Sequence, residues 1–157
     1  METVKNVALV AHDNRKKDLA EWVEWNWHTL LGHNLICTGT TGLMIEKVIH
    51  QHQEREGSED SLKSIMKLKS GPLGGDPQLG SMITEGKIDV LIFFWNPMEP
   101  QPHDVDVKTL LRIAVVYNIP IACNRSTADC VISSPLINEV YEPKLKDYTD
   151  YLQREIN

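Results

Sequence analysis

Short apolar runs alternate with segments of helical spacing along this chain. The apolar runs are dense in Val, Ile, Leu and Phe and are too short for helices, so we predict buried strands there. These strands cover residues 4–11, 35–38, 65–68, 89–95 and 119–123. Between them, apolar positions recur with the helical period, which predicts helices over residues 16–31, 43–51, 79–85 and 103–117 and from Ser126 onward.

The order of these elements predicts the fold class. Strands that alternate with helices are typical of an α/β protein with a parallel sheet covered on both faces. We therefore expect a single-domain, doubly wound, Rossmann-like three-layer sandwich over residues 1–157, with about five strands and helices on both faces. We also predict an edge strand at Val140 and Tyr141, limited by Pro143, and a final helix over residues 146–155.

Composition and charge narrow the possible functions. The chain has 157 residues, of which 41% are hydrophobic and 24% charged, as is typical of a globular protein with a sizeable core. A net charge of −6 argues against nucleic acid or a membrane surface as a partner. The sequence shows no signal peptide, and its three cysteines lack CxxC spacing, so we expect reduced thiols in a cytoplasmic protein. No tight set of His, Cys and Asp ligands predicts a metal, and we expect no cofactor.

Polar clusters follow four of the predicted strands at their carboxyl ends. They lie at residues 12–16, 38–41, 70–76 and 96–103. In a parallel sheet of this kind, the ligand binds beyond the carboxyl ends of the strands. Because four clusters meet at one edge of the sheet, we predict a ligand site there, although each cluster alone is ordinary.

The cluster of Thr38, Gly39, Thr40 and Thr41 stands where a strand turns into a helix. Free N–H groups, the helix dipole and three hydroxyls suit an anion there, and the alternative is plain N-capping by Thr40 or Thr41. Lys16 either directs its ammonium at a phosphate or is a solvated surface lysine. The chain has neither GxxxxGK[ST] nor GxGxxG, which argues against a nucleoside triphosphate or NAD.

The stretch SGPLGGDP at residues 70–77 carries a single acid, Asp76. Its glycines and prolines predict a loop, and glycines let a backbone approach a bound anion closely. Asp76 is therefore a candidate base that acts on the bound anion, or else it caps a helix that starts near Pro77.

Two histidines and their neighbouring acids complete the candidate chemistry. A neutral His103 either donates a hydrogen bond that polarises a carbonyl or is a surface residue before the cap Asp104. Asp106 either holds the imidazole tautomer or only favours the helix dipole. His12 either bonds a substrate oxygen or closes the first strand, and Asp13 either orients a neighbour or caps the first helix.

Five motifs together resemble the methylglyoxal synthase family over nearly the whole chain. They are VAHD at residues 10–13 with Lys16, TGTTG at 38–42, SGPLGGDPQLG at 70–80, GKIDVLIFFW at 86–95 and PHDVDVKTLLR at 102–112. The resemblance implies a lyase that converts dihydroxyacetone phosphate to methylglyoxal and inorganic phosphate through an enediolate. It also implies a homohexamer and inhibition by phosphate.

The resemblance also implies roles for individual residues by matching position. Asp76 is implied as the catalytic acid/base, with His103 as its catalytic partner. Asp13, Asp106 and Asn96 are expected to support them. The implied substrate-binding residues are His12, Lys16, Thr38, Gly39, Thr40, Thr41, Ser70, Gly71 and His103.

Two departures from the family pattern are visible. Asn96 stands where the family commonly has Asp, so a charge-based role is lost there while a hydrogen-bonding role survives. Residues 48–66 form a longer stretch than in close relatives, and the tail around Arg154 aligns loosely, which we expect to alter subunit packing. A regulatory domain of carbamoyl phosphate synthetase shares this fold, so a module that senses phosphate or a metabolite without turnover is the alternative function. Such a module is not expected to keep Asp76 and His103 together.

Overall fold

The computed structural model of the protein describes residues 1–57 and 62–153. Its centre is a five-stranded parallel sheet with strand order β3-β2-β1-β4-β5. The strands are β1 (Asn6–Ala11), β2 (Asn34–Thr38), β3 (Ser64–Leu68), β4 (Val90–Phe94) and β5 (Ile121–Ala122). The α-helices are α1 (Lys16–Leu31), α2 (Gly39–Glu56), α3 (Gly75–Thr84), α4 (Asp104–Val116), α5 (Arg125–Ile132) and α6 (Thr149–Leu152). The predicted α/β class with a parallel sheet is confirmed.

Helices cover both faces of the sheet. Successive residues of β1 point to opposite faces, so Val7 and Leu9 pack in one core with α1, α2 and α5, whereas Ala8 and Val10 pack in another with α3 and α4. Burial on both faces explains why the central strands read as continuous apolar runs. No helix of the described residues combines the length and apolarity needed to cross a membrane.

The strand order sets the place where a ligand fits. The chain leaves β1 toward β2 on one side and leaves β4 toward β5 on the other, so a crevice opens where the carboxyl ends of β1 and β4 meet. The register aligns Ala11 with Phe94, and the backbone N–H of His12 donates to the carbonyl of Phe94 at 3.2 Å. The chain after β1 therefore begins beside the chain after β4.

Two helices begin earlier than the sequence predicts. Helix α2 begins at Gly39 instead of residue 43, so the threonine cluster lies in its first turn. Helix α3 begins at Gly75 instead of residue 79, so Asp76 lies on a helix and not in a loop. Glycine is a poor helix former, and here tertiary contacts override that preference.

The carboxy-terminal predictions fare less well. Val140 and Tyr141 form no strand, because the N–H of Tyr141 donates to the carbonyl of Met1 at 3.1 Å and not to a strand edge. The predicted edge strand is therefore wrong. The final helix covers Thr149–Leu152 only, so residues 146–148 and 153 of its predicted range are not helical, whereas Arg154 and Glu155 lie outside the described residues.

Candidate active site

A cleft of about 270 Å³ lies at the carboxyl ends of the strands and brings the four polar clusters together. The cleft is also lined by Gln101 and Phe93, which the sequence interpretation did not single out. Ten of the predicted site residues line it: His12, Asp13, Lys16, Thr38, Thr40, Thr41, Ser70, Gly71, Asp76 and His103.

Three predicted site residues lie outside the lining of the cleft. The N–H of Gly39 donates to the carbonyl of Lys69 at 3.2 Å, so this amide ties α2 to the segment before Ser70 and is not free for an anion. Asn96 follows β4, and Asp106 stands in the first turn of α4.

One side of the cleft gathers groups that suit an anion. The ammonium of Lys16 lies 2.5 Å from the hydroxyl of Thr40 and 2.5 Å from the carboxylate of Asp13. This hydrogen bond from Lys16 is the main reason why the pKa of Asp13 falls below its usual range. The cation is thus held at the start of α1 against the start of α2, with an exposed carboxylate as its present counter-ion.

The first turn of α2 adds backbone donors on the same side. An α-helix leaves its first N–H groups without intrahelical partners, and the helix dipole places positive charge there. Thr38 occupies the N-cap position, yet its side chain makes no capping hydrogen bond. Thr38 and Thr41 are 5% and 2% exposed and line the cleft, so both residues are packed into its wall.

Asp76 is buried in the first turn of α3. It is 1% exposed, and neither carboxylate oxygen has a hydrogen-bond partner among the described residues. Gly74 holds the N-cap position and no side chain caps α3, so the alternative role of Asp76 as a cap is wrong. A Cβ on the preceding Gly75 would lie 2.2 Å from the carbonyl oxygen of Lys69, so the backbone there is in close contact with the chain before the loop.

The environment of Asp76 makes it a stronger base than an ordinary aspartate. Burial raises the pKa of this carboxyl, and the negative charge of Asp106 raises it further. The nearby His103 acts in the opposite direction on the pKa of Asp76. Desolvation dominates, because no donor stabilises the ionised form.

His103 faces Asp76 across a short gap. Its Nε2 lies 3.5 Å from Asp76 Oδ2, and the histidine is 8% exposed. His103 Nδ1 has no partner among the described residues, so Asp106 does not hold this imidazole by a hydrogen bond. A Cβ on Gly71 would lie 2.9 Å from His103 Nε2 and 3.3 Å from Asp76 Oδ2, which shows that Gly71 keeps this gap open.

His12 presents a neutral imidazole to the same cleft. The backbone N–H of Asn96 donates to His12 Nδ1 at 3.4 Å, which assigns the ring proton to Nε2. Nε2 is buried without a partner among the described residues. Burial lowers the pKa of His12, and the proximity of His103 lowers it further, whereas Asp104, Asp13 and Glu99 act in the opposite direction.

Asn96 supports the cleft without a charge. Besides its backbone contact with His12, its side-chain oxygen accepts a hydrogen bond from the N–H of Met98 at 3.2 Å.

Gln101 borders the cleft and was missed by the sequence interpretation. Its position two residues before His103 was the one signal in the sequence that could have indicated it. In the described ranges 1–57 and 62–153, no group of three or more His, Cys, Asp or Glu residues is arranged to hold a metal.

The fold and the cleft define a class of protein, namely an α/β protein whose cleft rim has groups that suit an anion, beside a buried carboxylate–imidazole pair. Residues 25–123 match the family described as "MGS-like domain". The chain is 57% identical over 157 residues to a methylglyoxal synthase of Maridesulfovibrio salexigens, with 99% of this chain and 100% of that protein covered. It is 50% identical over 154 residues to a methylglyoxal synthase of Coxiella burnetii, with 98% and 99% covered.

A solved structure agrees with these relatives. The crystal structure of methylglyoxal synthase from Elizabethkingia anophelis NUHP1 superposes with a TM-score of 0.83 and 48% identity, covering 100% of this chain and 95% of that one. The chain therefore belongs to the methylglyoxal synthase family, and the resemblance stated from its motifs is confirmed.

Proposed function

We propose that this protein is a lyase that converts dihydroxyacetone phosphate to methylglyoxal and inorganic phosphate. The observation that carries this proposal is the buried, unpartnered carboxylate of Asp76 next to His103, in a cleft that also holds Lys16 and Thr40. A base, a donor for the carbonyl oxygen and an anion-binding rim are the three requirements of this reaction.

The phosphate group is bound by the rim. Lys16 supplies the charge, and the hydroxyls of Thr40, Thr41 and Ser70 supply donors together with the first-turn amides of α2 that follow Gly39. Phosphate competes with Asp13 for the ammonium of Lys16, because Asp13 occupies it now.

The proton is taken by Asp76. The C–H bond of the hydroxymethyl carbon breaks as an O–H bond forms on the carboxylate, and the electron pair enters the enediolate. A free aspartate has a pKa of about 3.9 and is a weak base, so the desolvation of Asp76 is part of the catalysis. His103 and His12 donate hydrogen bonds to the oxygen on which negative charge develops.

Phosphate then leaves from the far carbon. The former hydroxymethyl carbon becomes the aldehyde carbon and keeps its oxygen. The proton of its hydroxyl passes to the negatively charged oxygen of the central carbon. The double bond moves toward the far carbon as the C–O bond to phosphate breaks, and the resulting enol isomerises to methylglyoxal. This step requires the C–O bond to stand out of the enediolate plane, and we propose that the donors of Thr40, Thr41, Ser70 and Gly71 set that angle.

An assay of both products tests the reaction. The purified protein is incubated with dihydroxyacetone phosphate without added metal, and methylglyoxal and free phosphate are followed. We expect equal amounts of the two products. Phosphate without methylglyoxal indicates a hydrolase, and phosphate binding without turnover indicates the alternative regulatory module.

The remaining expectations concern assembly and location. We propose a homohexamer that is inhibited by phosphate, acts in the cytoplasm and uses residues 1–157 as one domain. Exposed apolar side chains support subunit contacts, since Trp25 is 84% and Val105 is 76% exposed in the isolated chain. Light scattering on the purified protein tests the number of subunits.

A further inference from the structure

A second cavity, of about 340 Å³, lies in the groove between α3 and α4. Asp76 borders both this groove and the active-site cleft, so the residue stands between two cavities. The other polar residues of the groove are Ser81 and Thr84 on α3 and Asp106 and Thr109 on α4, and the rest of the wall is apolar. None of the roles assigned above accounts for a groove that ends at the base and carries hydroxyl and carboxylate groups on its walls.

The protein offers Asp76 few ways to release a proton. Its carboxylate oxygens have no hydrogen-bond partner among the described residues, and it is 1% exposed. His103 Nε2 lies 3.5 Å from Asp76 Oδ2, and this contact is on the side of the cleft that the substrate fills. Because burial raises the pKa of Asp76, the proton that it takes from carbon is held more firmly than on an exposed aspartate.

The reaction leaves one proton on Asp76 in every turnover, and this inference rests on the function proposed above. We propose that the groove between α3 and α4 is a hydrated exit through which protonated Asp76 releases its proton to solvent. The O–H bond on Asp76 breaks, the carboxylate keeps the electron pair and a groove water accepts the proton. The departing phosphate takes up one proton from solvent at the rim, so that protons and charge balance over the cycle.

The walls of the groove suit this path. The hydroxyl of Ser81 donates to Glu85 at 3.1 Å, and the hydroxyl of Thr109 donates to the carbonyl of Val105 at 2.9 Å. Each oxygen therefore keeps lone pairs that accept hydrogen bonds from water. The negative charge of Asp106 lies on the same path and attracts a proton away from the cleft.

A plug at the mouth of the groove tests the exit. Thr109→Trp fills the groove from α4, and Lys108→Trp is the matched control, because Lys108 is the adjacent exposed residue of α4 and does not line the groove. Rapid-quench measurement gives the first turnover of dihydroxyacetone phosphate, and steady-state assay gives the later ones. For Thr109→Trp we expect a normal first turnover, one methylglyoxal per site, and then a rate about 10²-fold lower, because the base is not reset.

The solvent isotope effect distinguishes a blocked proton exit from slow product release. The slow phase of Thr109→Trp should be slowed further in deuterium oxide than the wild-type reaction, and Lys108→Trp should match the wild type. Ser81→Phe plugs the groove from α3 and repeats the test if the tryptophan variant does not fold. The proposal is overturned by an unchanged steady-state rate, by an equal loss in first and later turnovers, or by a burst without the isotope effect. A wild-type protein that forms no methylglyoxal overturns the proposed function instead.

Discussion

Buried polar groups lie at both ends of the sheet, but the two ends differ in whether these groups have hydrogen-bond partners in the protein. At the amino end, the ammonium of Lys5 donates to the carbonyls of Glu2 and Glu139. The backbone N–H of Lys5 donates to His33 Nδ1 at 3.2 Å. At the carboxyl end, both oxygens of Asp76 lack a partner in the described part of the chain.

A polar row extends the satisfied arrangement across the amino end. Asn34 Nδ2 donates to Asn6 Oδ1 at 3.0 Å, and Ser64 Oγ donates to Asn34 Oδ1 at 2.9 Å, which joins the first residues of β1, β2 and β3. His33 Nε2 is the exception at this end, since it is buried without a partner in the described ranges. Buried polar groups that find partners in the protein stabilise the fold, whereas those left open cost stability and remain available to a ligand.

The largest expected effect is at Asp76. We expect Asp76→Asn to lower kcat by about 10²–10⁴-fold, because the base that takes the proton is gone. The free energy of unfolding at neutral pH should stay the same or rise, since the variant no longer buries an ionised carboxylate. Steady-state kinetics and urea unfolding measure the two effects. Retained activity would show that another group is the base, and a large loss of stability would contradict the comparison of the two ends.

A methyl group at Gly71 should have the next largest effect. We expect Gly71→Ala to lower kcat by about 10²-fold, because its Cβ, placed 2.9 Å from His103 Nε2, displaces the Asp76–His103 pair by a fraction of an ångström to about 1 Å. Leu73→Ala in the same segment is the control, since Leu73 is 73% exposed. Full activity in Gly71→Ala would mean that the gap between the two side chains is not needed.

At the other end, Lys5→Met should change stability and not chemistry. The variant leaves the carbonyls of Glu2 and Glu139 without their charged donor in two partly buried hydrogen bonds, which we expect to cost about 1–3 kcal/mol in the free energy of unfolding. The kcat of the folded enzyme should equal that of the wild type. Chemical denaturation and kinetics on the same preparation check both points, and a selective loss of kcat would contradict a purely structural role.

The smallest effect concerns pH. Burial lowers the pKa of His33 from 6.5, with the charges of Lys5 and Lys63 acting in the same direction. As the pH falls through 6.5, His33 is therefore protonated in the unfolded chain but stays neutral in the folded chain. The contribution of His33 to the free energy of unfolding is fully present above that pH and declines below it. His33→Gln should flatten this decline in unfolding curves measured between neutral and mildly acidic pH. An unchanged decline would assign the effect to His12, whose pKa is also lowered.

The carboxyl end was predictable from the sequence because topology alone brings it together. Once strands alternate with helices, the residues after β1, β2, β3 and β4 must meet at one edge, and the four clusters do so. The local structure of Asp76 was not predictable in this way. The composition of residues 70–77 indicates a loop, and only the contact of Gly75 with Lys69 and the packing of Leu79 show that a helix begins there.

The contacts at the amino end of the sheet and the structure of the carboxy-terminal segment were not predictable for a different reason. Lys5 resembles any surface lysine in the sequence, and its buried contacts depend on Glu139, which is 134 residues away along the chain. The segment around Val140 has the composition of an edge strand, but its backbone is tied to Met1. Long-range contacts of this kind leave no local pattern.

The close contact at Gly75 limits which substitutions residues 70–76 can accept during evolution. Any side chain there would meet the carbonyl oxygen of Lys69 at 2.2 Å, so a substitution must move the base along with the backbone. The neighbouring Leu73 is free to drift, because its side chain faces solvent. In a saturation library over residues 70–76 that is selected for turnover, we thus expect many substitutions to survive at Leu73 and almost none at Gly75.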